Sequence, residues 1–287
     1  MKLNLIKAFT LALGVLAVGI YAGCKPDTFG AGNPLSPANL TASFTVTPVT
    51  GRANYYVVKA NNNNVLAVKW NHGDGSGNNI GKTTDTLFYP DAGTYTITLT
   101  AIGAGGVSQT ATQSVTVPVS DPTSGNLVVG GKMLPGDDTK WTHITISAGV
   151  TMVMDPVKNV MVASGGNYGH AAVYQAVNLT AGQKYMVDMT ISGSGATDTW
   201  FETYVGTAVP VNGSDYSSGG IKIALNTWNG CGKTAFNGLL STISCNGGGK
   251  TFTPTVTGTY YLLIKSGGSN LGTTGISFTN VQLRGTK

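Results

Sequence analysis

Apolar and polar residues alternate with a period of two through most of this 287-residue chain, in short runs cut by glycine, asparagine and proline. TASFTVTPV, NYYVVKA, VLAVKW, FYPDAGTYTITLTAIG and TATQSVTV occupy the first part. THITISAGV, AAVYQAVNL, KYMVDMTISG, TWFETYVG, GIKIAL, TYYLLIKSG and GISFTNVQL occupy the second. Such alternation sends successive side chains to opposite faces of an extended strand. Beyond residue 21 no segment sustains the 3.6-residue apolar period of an amphipathic helix. Composition agrees, since Thr and Val favour strands while 41 glycines and many Asn residues supply turns. The expected fold class is all-β.

The one long apolar run lies at the start. A basic end (Lys2, Lys7) precedes an apolar stretch from Ala8 to Tyr21 and the small residues before Cys24. This is the three-part layout of an export signal. The 14-residue stretch is shorter than the ~20 residues that span a bilayer. Tyr21-Ala22-Gly23-Cys24 resembles the lipobox of bacterial lipoproteins, which implies that 1–23 is removed and Cys24 becomes the lipid-modified first residue. An uncleaved anchor helix and a plain secretory signal are the alternatives. The anchored chain is expected at the outer membrane, exposed on the cell surface.

Losing Lys2 and Lys7 lowers the formal charge from +5 to +3, and no Lys/Arg run supports a nucleic-acid partner. Two cysteines remain, Cys231 and Cys245, 14 positions apart. In an oxidising compartment such a pair most simply forms a disulfide; two free buried thiols are the other reading.

Residues 24–39 are Pro-, Gly- and Ser-rich and form a flexible tether. The next block carries Trp70-Asn71-His72-Gly73-Asp74-Gly75 and then Tyr89…Gly93-Thr94-Tyr95. These motifs resemble a PKD domain over residues 40–118, which implies an immunoglobulin-like β-sandwich acting as a rigid spacer. Asp74 and the glycines are expected to shape a turn rather than form a reactive pair with His72, with Trp70 and Tyr95 in the core. Residues 119–126 read as a linker.

Residues 127–287 open with NLVVGGKMLPGDDTKW, continue through YQAVNLTAGQKY and close on GTYYLLIKSG…ISFTNVQL. This order resembles the jelly-roll carbohydrate-binding modules related to families four and nine, which implies a second β-sandwich that grips a glycan with aromatic rings. Met133-Leu134 and Thr279 stand where that family carries acidic residues. No metal or cofactor is therefore expected.

In TDTWFETYVG, alternation puts Trp200, Glu202 and Tyr204 on one face, with Phe201 and Val205 facing the core. Rings stack on the C–H face of a sugar and a carboxylate accepts from hydroxyls; the same rings could merely cover a sheet. Trp228 precedes Cys231 and would be either a platform held by the disulfide or part of a small core around it. Trp141 is expected in the core or at a sheet edge. Tyr168 and His170 in GGNYGH and Tyr216 in GSDYSSGG fall in glycine-rich loops that could wall a cleft. Gln175 resembles the strand glutamine of those modules.

Catalysis is not expected. The chain has one Glu, Glu202, whereas glycoside hydrolysis needs two positioned carboxylates, and it lacks G-x-S-x-G, P-loop and H-E-x-x-H motifs. The layout resembles the surface glycan-binding lipoproteins of polysaccharide-utilisation systems. A polysaccharide partner, with a neutral β-glucan as first expectation, and a neighbouring outer-membrane transporter or hydrolase follow from that resemblance. A structural or adhesive surface protein is the alternative.

Overall fold

The computed structural model describes residues 40–61 and 64–286, and apart from short helical turns its regular elements are strands. The export signal, Cys24 and the tether lie outside the described residues. Packing divides the chain into two units. The first takes Tyr56–Leu87 and Tyr95–Val115 together with the chain up to Val49, and the second takes Thr50–Tyr55, Phe88–Thr94 and Thr116–Lys287.

The first unit is built mainly from seven strands in two antiparallel sheets. One holds β1 (Phe44–Pro48), β2 (Tyr55–Ala60) and β5 (Thr84–Phe88), in the order β1-β2-β5. The other holds β3 (Ala67–Asn71), β4 (Asn78–Gly81), β6 (Gly93–Ile102) and β7 (Ser108–Val117), in the order β4-β3-β6-β7. Between the sheets Phe44 meets Trp70 edge to face at 5.2 Å. Trp70 is buried and its Nε1–H donates to the Lys82 carbonyl at 2.9 Å. As expected, residues 71–76 are a turn. The Asn71 side chain accepts from the Gly73 amide and Asp74 accepts from the Ser76 amide, both at 2.9 Å. Gly73 has φ +73, and a Cβ there would sit 2.5 Å from the Thr96 carbonyl oxygen, so the turn requires glycine. Tyr95 is only half-buried, against the expectation that it fills the core. It lies where β6 is just entering its alternating buried stretch.

The second unit is a sandwich of two antiparallel sheets, an all-β jelly-roll-like layout. The front sheet runs β8 (Thr142–Ser147), β10 (Val160–Leu179), β16 (Gly258–Asn270), β12 (Thr197–Gly206) and β13 (Ile221–Asn226). The back sheet runs β9 (Val150–Asp155), β10, β17 (Ile276–Gly285), β11 (Tyr185–Gly193) and β14 (Phe236–Leu239), with β15 (Thr251–Phe252) also on β11. Strand β10 belongs to both. Its first part pairs with β9 and β17, and from Gly169 onward it pairs with β16. The switch falls at Gly166–Gly169, where Asn167 and Tyr168 take φ +55 and +57. This is a bulge that lets one strand turn a corner. The segment GGNYGH is thus the bend of a continuous strand, not the loop its glycines suggest. THITISAGV likewise proves to be a strand followed by a turn at Ala148-Gly149 that leads into β9.

The core lies between the sheets. Phe201, Val205, Leu225, Leu262 and Ile264 of the front sheet meet Met161, Val187, Met189, Ile191 and Phe278 of the back one. Phe201 and Phe278 contact edge to face at 5.4 Å. Trp141 joins this core, its Nε1–H bonded to the Gly130 carbonyl at 3.2 Å. Thr279 Oγ1 donates to the Lys132 carbonyl at 3.0 Å and Val281 N to Gly131 at 2.9 Å. Direct hydrogen bonds therefore join the opening and closing segments at the place where the resembling modules carry acidic residues.

Candidate functional site

The outer face of the front sheet collects the polar and aromatic residues of the second unit. Ladder register fixes its rows. His170, Gly267, Trp200 and Asn226 lie side by side across β10, β16, β12 and β13. The next row is Ala172, Lys265, Glu202 and Ala224, followed by Tyr174, Leu263 and Tyr204. Side chains opposite one another in a ladder share a face.

The connection between β12 and β13, residues 207–220, crosses part of this face as a strap. Tyr216 is buried against Tyr204, edge to face at 5.8 Å, and its hydroxyl donates to the Ala208 carbonyl at 3.0 Å. With Leu263, Ala172 and Ile144 these rings form a second small apolar cluster. Asn212 accepts from the Thr145 amide at 2.8 Å, and Gly213 N donates back to the Thr145 carbonyl at 2.9 Å, stitching the strap to β8.

A buried ammonium clamps the strap to the sheet. Lys265 Nζ lies 2.8 Å from Asp215 Oδ1 and 3.4 Å from Glu202 Oε2, and donates to the Tyr216 carbonyl at 3.3 Å. The Tyr204 hydroxyl donates to Glu202 Oε2 at 2.7 Å. Burial, then this bond and the neighbouring negative charge, push the Tyr204 phenol far above its usual range, so it acts as a donor. Asp215 is raised by burial, but more than offset by its bonds to Lys265 and the Tyr216 amide, and stays below the usual carboxylate range. Each polar group of the cluster has a partner, which a buried network requires to avoid a large desolvation cost.

Beyond the strap the face is open. His170 packs edge to face on Trp200 at 4.7 Å, and Trp200 lies beside Trp228 with ring centres 6.0 Å apart and planes 32° from parallel. Gly267 is the floor beneath them. A Cβ there would come within 2.7 Å of Trp200 Cζ2 and 3.0 Å of His170 Cδ2, so the approach of the two rings depends on the missing side chain. The Trp228 loop is built on Asn226, whose side-chain oxygen accepts from the Trp228 amide at 3.0 Å and the Asn229 amide at 3.2 Å. Its far end is tied by the Cys231–Cys245 disulfide, with Cα atoms 5.9 Å apart. Trp228 is 54% exposed although it is a Trp. His170 Nδ1 is buried without a hydrogen-bond partner. Burial lowers the imidazole pKa, against the Asp215 and Glu202 charges, with Lys265 adding to the lowering, so the ring is neutral near pH 7.

Residues 36–119 match the PKD domain family, in keeping with the seven-stranded first unit. No curated protein matches the chain in sequence. Among solved structures, the chain is similar to carbohydrate-binding modules of the β-sandwich superfamily at 18% identity and a TM-score of 0.32, over 86% of this chain and 99% of that one. It is similar to the enzymatically active domain of tailspike protein 4 of bacteriophage CBA120 at 12% identity and a TM-score of 0.37, over 60% and 23% of the two chains. It is also similar to a carbohydrate-binding module in complex with GlcNAc, with INT domains, from Clostridium perfringens, at 11% identity and a TM-score of 0.26, over 69% and 38%. The chain spans well under half the length of the last two.

The sequence-predicted residues divide into two groups. Trp200 and Trp228 come together as one ring surface, and Trp228 is not the small core around the disulfide that was its alternative. Tyr168 is 59% exposed at the bend of β10, two residues before His170. Tyr204 and Tyr216, expected as sugar-stacking or cleft-wall rings, are each 4% exposed. They are packing rings, because the strap covers the face that alternation correctly assigns to Tyr204. Glu202 shares the face of Trp200 as expected, but its carboxylate is taken up by Lys265 and Tyr204. Gln175, expected to bond a sugar hydroxyl, is buried, with its amide accepting from and donating to the Val129 backbone. It ties the opening segment to β10. Lys265 and Asp215 were missed. A lysine inside the apolar run TYYLLIKSG was the available signal, since a buried cation demands a partner.

Proposed function

We propose that this protein is a non-catalytic glycan-binding protein whose second unit captures sugar on the Trp200–Trp228 surface. The observation that carries the reading is the pairing itself. Two indole rings lie side by side on the part of the sheet face that the strap leaves open, and one is exposed on a loop held by a disulfide and an Asx turn. An apolar ring surface held in place this way loses little entropy when a sugar stacks on it. Tyr168, exposed two residues before His170, is a further candidate contact. Glu202 and Asp215 are engaged with Lys265, and Glu202 also with Tyr204, so these two do not stand as the free acid and base that glycoside hydrolysis uses.

The ligand is a neutral polysaccharide, with a β-glucan as the first candidate. Lys265 is the cation of the clamp, and it already sits between two carboxylates, so the cluster carries a net negative charge and repels uronic or sulfated sugars. With the export signal and Cys24, the proposal places the protein at the bacterial outer membrane on a lipid anchor, held at the surface by the tether and the PKD-like unit. Handing glycan to a neighbouring transporter or hydrolase is the role such a tether would serve.

The test is gel retardation in laminarin, xyloglucan, xylan and mannan, with solution titration against polygalacturonate and chitosan oligomers. Retardation by at least one neutral glycan and no binding of polygalacturonate is the expected result. Binding to none of the panel, or to the acidic polymer alone, would overturn the reading.

A further inference from the structure

The two sheets of the second unit leave an open edge where β8, at the rim of the front sheet, faces β9, at the rim of the back one. A groove of about 330 Å³ lies there, lined by Asp138, His143, Met152, Val153, Met154 and Pro156. Met152 and Met154 are two apart on β9 and so share a side of that strand. Met152 belongs to the core and Met154 packs against it. His143 Nε2 lies 3.0 Å from Asp138 Oδ1, and both side chains remain partly exposed. A neutral imidazole that donates Nε2–H to a carboxylate keeps the lone pair on Nδ1, the arrangement in which histidines ligate metals with a carboxylate behind them.

His143, Met152 and Met154 line this single groove and between them carry a soft set of donor types, imidazole and thioether. Thioether and imidazole together suit a monovalent soft ion, whereas calcium, magnesium and zinc call for carboxylates, thiolates or several imidazoles. Among the described residues no group of three His, Cys, Asp or Glu could supply such a harder site. We infer that His143, Met152 and Met154 bind a soft monovalent cation, Cu(I) or its analogue Ag(I), with Asp138 positioning the imidazole. The site is separate from the Trp200–Trp228 surface and independent of what that surface binds.

The test uses the whole chain with Cys24→Ser, so that no free thiol competes, labelled with 13C at the methionine methyls and titrated with silver nitrate in chloride-free buffer. The Met152 and Met154 methyl signals should shift and saturate at one equivalent, while that of the fully buried Met189, on β11, stays in place. His143→Ala should weaken binding at least tenfold, and Asp138→Asn should weaken it by roughly 10- to 100-fold. Met154→Leu, close in volume and partly buried, should abolish tight binding with little change in melting temperature. Absence of saturable shifts at Met152 and Met154, or equal affinity in the wild type and His143→Ala, would overturn the assignment.

Discussion

Replacing Lys265 by Met keeps the apolar stem and deletes the ammonium at the centre of the clamp. Lys265 and Glu202 have side chains only 6% and 11% exposed, whereas Asp215 is 61% exposed. The substitution therefore strands a buried carboxylate with the Tyr204 hydroxyl as its remaining partner. Breaking a buried pair from one side costs about 3–5 kcal/mol. Losing only the exposed half of the clamp, in Asp215→Asn, should cost ~0–1 kcal/mol. For a domain of this size 1 kcal/mol moves the melting temperature by roughly 2–4 °C. Lys265→Met should thus lower the second unit's transition by roughly 6–20 °C, and Asp215→Asn by a few degrees at most. The double variant Lys265→Met/Glu202→Gln should recover part of the loss, because the stranded charge is gone. Urea and thermal unfolding followed by circular dichroism supply all four values. A Lys265→Met variant within about 1 kcal/mol of wild type, or an Asp215→Asn variant equally destabilised, would refute the clamp.

Other consequences are testable by simpler comparisons. Cys231→Ser/Cys245→Ser opens a loop of 14 residues' separation and should cost up to ~3 kcal/mol; tryptophan anisotropy should also show Trp228 moving more freely, and unchanged anisotropy would deny the disulfide its positioning role. Gly267→Ala places a methyl 2.7 Å from Trp200 Cζ2 and from the Gly169 carbonyl oxygen; a loss of about 1–3 kcal/mol and weaker glycan binding should follow, and wild-type values for both would contradict the ring-floor argument. His170 titrates near 6.5 when unfolded and lower when folded, so between those values the unfolded chain binds more protons and stability rises with pH. Urea midpoints from pH 5 to 8 should show that slope, flattened in His170→Gln; an identical slope in the variant would refute it.

Strand periodicity made much of the second unit legible in advance. Phe201 and Val205 lie in the core and Trp200, Glu202 and Tyr204 share the opposite side, as a period of two requires. What alternation cannot see is which distant segment roofs a sheet. The Lys265–Asp215 pair joins residues 50 positions apart, and Tyr216 reaches Tyr204 only through the fold, so two aromatic residues readable as ligand contacts proved to be packing. The first part of β10 escaped notice because glycine and left-handed Asn167 and Tyr168 look like loop chemistry when they form a bulge inside one strand. Gln175 misled for a related reason: its partner, the Val129 backbone, lies 46 residues away.

The central claim is that Trp200 and Trp228 form one sugar-stacking surface. Calorimetric titration of a neutral β-glucan oligosaccharide into the wild type, Trp200→Ala and Trp228→Ala tests it most directly. Each substitution should cost at least tenfold in affinity, about 1.4 kcal/mol, and Trp228→Ala should leave the melting temperature nearly unchanged because its ring is exposed. Affinity for a bound glycan that is indifferent to both substitutions would contradict the account.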